Sequence, residues 1–294
     1  MFTVEEMTPA EAPLPGTVDR AAPFVDRIVV PVDGSPFAER ALPVAAQLAA
    51  ELGAPLHLFE VVGEPADTDR AIHYLDDLAR RHGASGWNAA RGDDTAAAIV
   101  AAAHGDTPGL ACLSTHGRDR STALFGSVAS AVLDRTTQPI VLVGPKARPP
   151  CAGDAPIVVA VDGQPENRAV VAVAADWARM LGRRLVVATV AEPVPGSFEP
   201  GRPPDRMRGP ADPEAYVDSL AAGASTPAVD SLVVYDPISV RGGLVRMLDR
   251  TAGLLVAGAH RRTRPMRALV GSHAARIVHD IEVPALVVPL GIGG

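Results

Sequence analysis

An aspartate follows an apolar run at two places in this sequence. Asp33 follows residues 28–32 (IVVPV), and Asp162 follows residues 157–161 (IVVAV), 129 residues farther along. A glycine comes next in both copies, and Asp-Gly pairs are typical of turns. The carboxylate can accept hydrogen bonds from a ligand, or it can only end a strand and shape the turn. Both interpretations stay open from these residues alone.

Each half also contains a Gly-Ser pair directly before a segment with helical character. Gly126 and Ser127 form the first pair, and Gly271 and Ser272 form the second, 145 residues later. Small residues let backbone N–H groups approach an anion, and a helix N-terminus adds unpaired donors and the favourable end of its dipole. The serine hydroxyl can donate to a phosphate, but it can equally cap the helix.

Basic residues follow the run that precedes each of these loops. His116 and His260 occupy one position of the repeat, and each is either a phosphate-facing group or a surface histidine that packs the loop. Four arginines, beginning with Arg261, lie within residues 261–267. In an acidic protein this cluster is consistent with anion binding, although a run of charge is more often a solvated face.

Composition narrows the class of protein. The chain has 294 residues, of which 47% are apolar, and a formal net charge of −7, which predicts two cored domains and argues against nucleic acid or anionic membrane as the main partner. A count of only two cysteines fits a reducing cytoplasm. No cluster of His and Cys residues has the spacing of zinc ligands. No run of apolar residues is long enough to span a membrane. Residues 1–26 are acidic, contain four prolines and lack the pattern of a signal peptide, so they predict a disordered tail.

The ordered recurrence of these features predicts a duplicated domain. We expect a first domain at 27–145, a linker at 146–156 and a second domain at 157–294. Continuous apolar runs alternate with helical segments in both halves, which predicts a parallel, doubly wound α/β sheet in each. Pro43 is expected to kink the first helix. The predicted strands are 28–32, 56–62, 87–90, 110–114 and 140–143, then 157–161, 185–190, 232–235, 254–257 and 285–288. The predicted helices are 36–52, 67–82, 93–103 and 127–135, then 169–181, 214–222 and 244–251, with a long loop at 193–213.

The two halves resemble universal stress protein domains. That family carries an Asp at the end of its first strand and Gly-x2-Gly-x9-Gly-Ser/Thr after its fourth, and the resemblance covers nearly the whole chain apart from the tail. It implies two five-stranded sheets of the adenine nucleotide alpha hydrolase type, with strand order 3-2-1-4-5. It also implies that the loop holds ATP phosphates, while the Asp and a backbone group at the end of strand two hold the adenosine. The nucleotide-binding residues it implies are Pro31, Val32, Asp33, Val61, Ser114, His116, Gly117, Gly126, Ser127, Asp162, Val190, Gly258, Arg261, Gly271 and Ser272.

Both copies depart from the family's phosphate motif. In the first, Ser114 stands where the first glycine is expected, and eight residues separate Gly117 from Gly126 instead of nine. In the second, Arg261 replaces the second glycine, where it either blocks the phosphate path or pairs with a phosphate. The first site is therefore the better candidate for ATP with water-bound Mg²⁺, or for another adenine nucleotide.

Three functions compete on this evidence. The first is a non-catalytic, nucleotide-binding sensor or regulator in a stress response. The second is a slow ATPase, for which Asp33 and His116 are the only candidate groups, because the sequence has no Walker lysine and no nucleophile elbow. The third is an interaction module that has lost its ligand. The resemblance further implies that the two domains pair through their last strands within one chain, and it leaves a homodimer open.

Overall fold

The structure is a computed structural model that describes residues 5–6, 25–63, 67–105, 108–116, 126–149, 155–193, 207–208, 210–236, 238–260 and 272–290. The first half contains β1 (Glu5–Glu6), β2 (Arg27–Pro31), a 3₁₀ turn (Ala38–Arg40), α1 (Ala41–Leu52), β3 (Leu56–Val62), α2 (Thr68–His82), β4 (Gly86–Arg91), α3 (Thr95–His104), β5 (Gly109–Ser114), α4 (Ser127–Arg135) and β6 (Ile140–Val143).

The second half repeats the order from β2 to β6, without a 3₁₀ turn in its described part and with one added short strand. It contains β7 (Ile157–Ala160), α5 (Asn167–Met180), β8 (Leu185–Pro193), β9 (Met207–Arg208), α6 (Pro213–Ala222), β10 (Val229–Tyr235), α7 (Val240–Thr251), β11 (Leu254–His260), α8 (Ser272–Asp280) and β12 (Ala285–Leu290). The added strand, β9, pairs antiparallel with the end of β8.

Each half forms a parallel sheet with the predicted strand order. The first half runs β4-β3-β2-β5-β6 and the second runs β10-β8-β7-β11-β12, which is 3-2-1-4-5 in both cases. The predicted α/β fold and strand order are therefore confirmed. Because these strands are parallel, their carboxyl ends lie at one edge of each half-sheet, which is where such folds place ligands.

The last strands of the two halves lie next to each other. β6 pairs antiparallel with β12, with Leu142 opposite Ala285 and Val141 opposite Leu286, so that the sheet is continuous across the chain. All four of these residues are fully buried. One hydrophobic cluster on the α1 and α5 face and another on the α3 and α7 face each include side chains from both halves.

Some elements differ from their predicted form. β1 pairs with β4 inside the segment whose composition predicts a disordered tail, with Glu5 opposite Ala90. Pro43 lies in the first turn of α1, directly after the 3₁₀ turn, where N–H groups commonly lack an intrahelical partner. The predicted interior kink at Pro43 is therefore wrong. No helix in the described part of the chain is long and apolar enough to cross a membrane.

Candidate functional site

The turn after β2 places Asp33 at the carboxyl edge of the first half. Gly34 adopts a positive φ of 78°, which favours glycine. The carboxylate of Asp33 accepts a hydrogen bond from Ser35 N at 2.9 Å, and Ser35 Oγ accepts one from Ala38 N at 3.2 Å. Ser35 Oγ thus provides a partner for the first N–H group of the 3₁₀ turn that leads into α1. These bonds hold the half-buried Asp33 in place beside Pro31 and Val32, the last residues of the strand region.

Val61 presents its backbone toward the space beyond the end of β2. Val32 N donates to Phe59 O at 2.8 Å, which is the last hydrogen bond between β2 and β3. Val61 lies two residues later on β3, so its N–H and C=O point to the same side, where β2 has already ended. Its side chain packs against the core on the α3 face. This geometry agrees with a contribution from the Val61 backbone rather than from its side chain.

Hydrogen bonds join the end of β5 to the start of α4. Thr115 is completely buried, and its N–H donates to Val143 O at 3.0 Å. Gly126 N donates to Thr115 O at 2.7 Å, which brings the N-terminus of α4 against the end of β5. Ser114 Oγ accepts a weaker hydrogen bond from His116 N at 3.4 Å. Thr115 is a positioning residue that the motif comparison did not single out, since it occupies a variable position in the motif.

The N-terminus of α4 has the character of an anion site. Gly126 is the N-cap residue, in an extended conformation, and it has no side chain with which to cap the helix. Ser127 is the first helical residue and is exposed. Of the two roles considered for Ser127, capping from the N-cap position is therefore not observed. The N–H groups of the first turn require partners from outside the helix, and an anion is well suited to provide them.

His116 contacts the other half of the molecule. Its ring and that of His279 in α8 lie edge to face, with centroids 6.0 Å apart. His279 Nδ1 lies 3.3 Å from the carboxylate of its neighbour Asp280. The same carboxylate bonds Arg241 and lies 3.6 Å from Lys146 Nζ. Burial alone would raise the pKa of Asp280, but its hydrogen bonds with Arg241 and His279 and the nearby Lys146 charge lower it.

In the second half, Asp162 is already engaged by the protein. Its carboxylate accepts hydrogen bonds from Gln164 N at 3.3 Å and from Asn167 Nδ2 at 2.8 Å. Asn167 is buried and also donates to Tyr216 Oη at 2.9 Å, so a polar cluster ties the turn after β7 to α5 and α6. Sequence reasoning missed Asn167, because it had placed the start of α5 two residues later.

The second-half loop also begins differently. β11 continues to His260, which is paired with Leu290 of β12, whereas His116 lies beyond the end of β5. A Cβ on Gly258 would lie 2.8 Å from Leu290 Cδ1 and 3.0 Å from Val170 Cγ2, so apolar side chains cover this glycine. Close packing therefore explains Gly258 without a phosphate. Val190 faces the end of β7 as Val61 faces the end of β2, since Val161 N donates to Ala188 O.

Part of the predicted site lies outside the described residues. Gly117, Arg261 and Gly271 belong to this group, and Ser272 is described only as the first residue of α8. Among the residues that the structure describes, no group of three or more His, Cys, Asp or Glu side chains could hold a metal ion. The described polar groups at the carboxyl edge of the first half include those of Asp33, Val61, Thr115 and the start of α4.

Comparison with known proteins identifies related sequences and folds. A sequence profile described as "Universal stress protein family" matches residues 25–144 and again residues 155–289. A functionally unknown protein from Pseudomonas aeruginosa PAO1 has a similar structure, with a TM-score of 0.60 and 19% identity over 91% of this chain and 94% of that chain. A universal stress protein from Archaeoglobus fulgidus DSM 4304 gives a TM-score of 0.61 and 15% identity over 90% of this chain and 98% of that chain. No curated protein matches the sequence.

Proposed function

The chain belongs to the universal stress protein family, and we propose that its first half binds ATP or another adenine nucleotide and acts as a non-catalytic sensor or regulator in a stress response. The observation that carries the proposal is the hydrogen bond from Gly126 N to Thr115 O. This bond places the N-terminus of α4 at the same edge as Asp33. The N-cap residue of α4 is Gly126, which has no side chain to cap the helix. Phosphates would then meet the first turn of α4, and the sugar would meet the Asp33 carboxylate.

Different residues of the proposed site would contact the different parts of a nucleotide. Asp33 can accept hydrogen bonds from ribose hydroxyls, and the backbone of Val61 can contact the base, as the family resemblance implies. The exposed Ser127 hydroxyl can donate to a phosphate. Mg²⁺ would be held by the phosphates and by water, since Mg²⁺ commonly keeps several waters beside nucleotide phosphates. In this proposal the residues bind and orient the nucleotide, and none of them is assigned a catalytic step.

We propose that the second half does not bind nucleotide. Asp162 Oδ1 accepts a hydrogen bond from Asn167, and Gly258 is covered by Leu290 and Val170. β11 also extends to His260, two residues beyond Gly258. The second half would instead act as an interaction module, and its α8 residue His279 would report the state of the first-half loop through its contact with His116.

The pairing of the two halves is part of the same proposal. In this account, β6 and β12 pair antiparallel within one chain. This pairing replaces the contact that two separate domains of the family would form between chains. A homodimer would then require another surface. Light scattering distinguishes a chain of 30.4 kDa from a dimer of twice that mass.

A charge placed at the start of α4 tests the nucleotide proposal. Ser127→Asp puts a carboxylate where a phosphate would bind, and we expect it to weaken ATP binding at least about tenfold, a free-energy loss of about 1.4 kcal/mol. An acidic residue in the first turn is favourable to a helix, so thermal stability should not fall. Isothermal titration calorimetry with Mg-ATP measures the affinity.

Ser272→Asp is the matched control, because Ser272 begins the equivalent helix of the second half. We expect this variant to bind ATP as the wild-type protein does. Unchanged binding by Ser127→Asp, together with lost binding by Ser272→Asp, would move the site to the second half. Absence of binding in the wild-type protein would reject the proposal and favour the interaction module.

A further inference from the structure

A cavity lies on the face of the first half that α3 covers. Its volume is about 350 Å³, and it is lined by the first halves of β2 and β3, by residues 88–90 of β4 and by α3. Val29 and Phe59 form an apolar wall on the sheet side, and Ala101 and Ala102 line it from α3. Arg27 also lines this cavity. The charged end of the cavity lies away from the Asp33 turn, because Arg27 begins β2 whereas Asp33 follows its end.

Two residues that line this cavity, Arg27 and His57, each have one buried nitrogen atom without a hydrogen-bond partner in the described part of the chain. These atoms are Arg27 Nε and His57 Nδ1. Arg27 Nη2 donates to Ala102 O at 2.8 Å, which fixes the guanidinium group at the C-terminal end of α3. Because this bond uses only part of the donor capacity of the guanidinium group, the arrangement favours an occupant that can accept hydrogen bonds.

The charge of the cavity indicates which acceptor suits it. Among the described residues, no carboxylate forms an ion pair with Arg27. Burial, and secondarily the charge of Arg27, lowers the pKa of His57, so its ring is neutral at neutral pH. Arg27 therefore supplies a positive charge, and His57 supplies a neutral hydrogen-bonding group. A carboxylate matches this combination, since guanidinium and carboxylate form strong charge-assisted hydrogen bonds.

The second half provides an internal comparison. At the equivalent positions Arg27 becomes Pro156 and His57 becomes Val186, as the strand registers show. Ala102 becomes Met247, which is buried against the core. The space in the first half thus arises because α3 carries alanine where α7 carries a long side chain, and the polar pair occurs only beside that space.

We propose that this cavity binds a small organic carboxylate with an apolar body. The Arg27 guanidinium donates to the carboxylate, and the neutral His57 ring donates a second hydrogen bond through its protonated nitrogen. The apolar body lies against Val29, Phe59 and the alanines of α3. The ligand class differs from a nucleotide, and the site does not depend on the nucleotide proposal.

Fluorine NMR tests the site with 4-fluorobenzoate as the probe and 4-fluorobenzamide as its neutral counterpart. We expect the wild-type protein to broaden the benzoate signal at millimolar probe and to affect the benzamide signal at least several-fold less. Arg27→Met, which keeps the aliphatic stem and removes the charge, should abolish the broadening. Ala102→Met should abolish it by filling the cavity as Met247 fills the second half.

Folding and specificity need matched controls. The thermal unfolding midpoint of each variant establishes that it remains folded, and the two variants act by independent means. The double variant Ala102→Met/Met247→Ala moves the space to the second half, where Arg27 and His57 have no counterpart, and should not bind the probe. Equal broadening of benzoate and benzamide, no broadening by the wild-type protein, or binding by the double variant would each overturn the proposal.

Discussion

Arg183 of the second half binds Glu51 of the first half through both carboxylate oxygens. Arg183 Nη2 lies 2.7 Å from Glu51 Oε1 and 2.6 Å from Glu51 Oε2. The Arg183 side chain is 2% exposed and that of Glu51 is 21% exposed. This ion pair joins the end of α1 to the residues just before β8, on the face that also carries the shared core cluster. It therefore links the two halves in addition to the pairing of β6 with β12.

Arg183→Met should destabilise the protein by about 2–3 kcal/mol, because it leaves a partly buried carboxylate without its partner. The value lies near the low end of the range for broken buried pairs, since Glu51 keeps some contact with water. Urea denaturation at neutral pH measures the change. Arg184→Met is the matched control, because Arg184 pairs with Asp230 at the surface and should contribute less than about 1 kcal/mol. Equal losses in both variants would contradict the structural role of the Arg183–Glu51 pair.

Gly258→Ser gives the second half the same residue that the first half has at the equivalent position, Ser114. Its Cβ would lie 2.8 Å from Leu290 Cδ1 and 3.0 Å from Val170 Cγ2, so we expect a loss of about 1–3 kcal/mol from overpacking. ATP affinity should not change, because the proposal assigns no nucleotide to this half. Thermal unfolding and calorimetry measure the two effects. A variant that keeps full stability but loses ATP binding would show instead that Gly258 serves a phosphate.

We expect the free energy of unfolding to depend on pH through the ionisation of Asp280. Its pKa lies below the ordinary value of 3.8, so folding favours the ionised form. The stabilisation is thus present at neutral pH and is lost as the pH falls below 3.8 through the lowered pKa. We expect Asp280→Asn to cost about 1 kcal/mol at pH 7 and to unfold like the wild-type protein at the acid end of the range. Urea midpoints measured across pH would contradict this if the difference stayed constant.

Continuous apolar runs made most of the fold predictable. β3 and β6 have their predicted bounds, and so does α4. β10 begins earlier than predicted. The prediction missed residues 229–231 because they lie on an outer strand and do not form a continuous apolar run. α7 begins at Val240, capped by Ser239 Oγ, and two glycines in its first turn concealed that start.

The site was only partly predictable, for a related reason. Motif comparison selects residues by their spacing along the chain, and it placed Asp33 and the Gly126-Ser127 pair at one sheet edge, where the structure also has them. It could not reveal contacts between distant segments. The contact of His116 with His279, the engagement of Asp162 by Asn167 and the cavity at Arg27 all depend on tertiary packing.

The number of ATP molecules bound per chain tests the central claim most directly. Calorimetric titration of the purified protein with Mg-ATP, together with mass spectrometry of any nucleotide released on denaturation, measures this number. The account predicts one site per chain, lost in Ser127→Asp and kept in Ser272→Asp. Two equivalent sites, or no adenine nucleotide bound even at millimolar ATP, would contradict it.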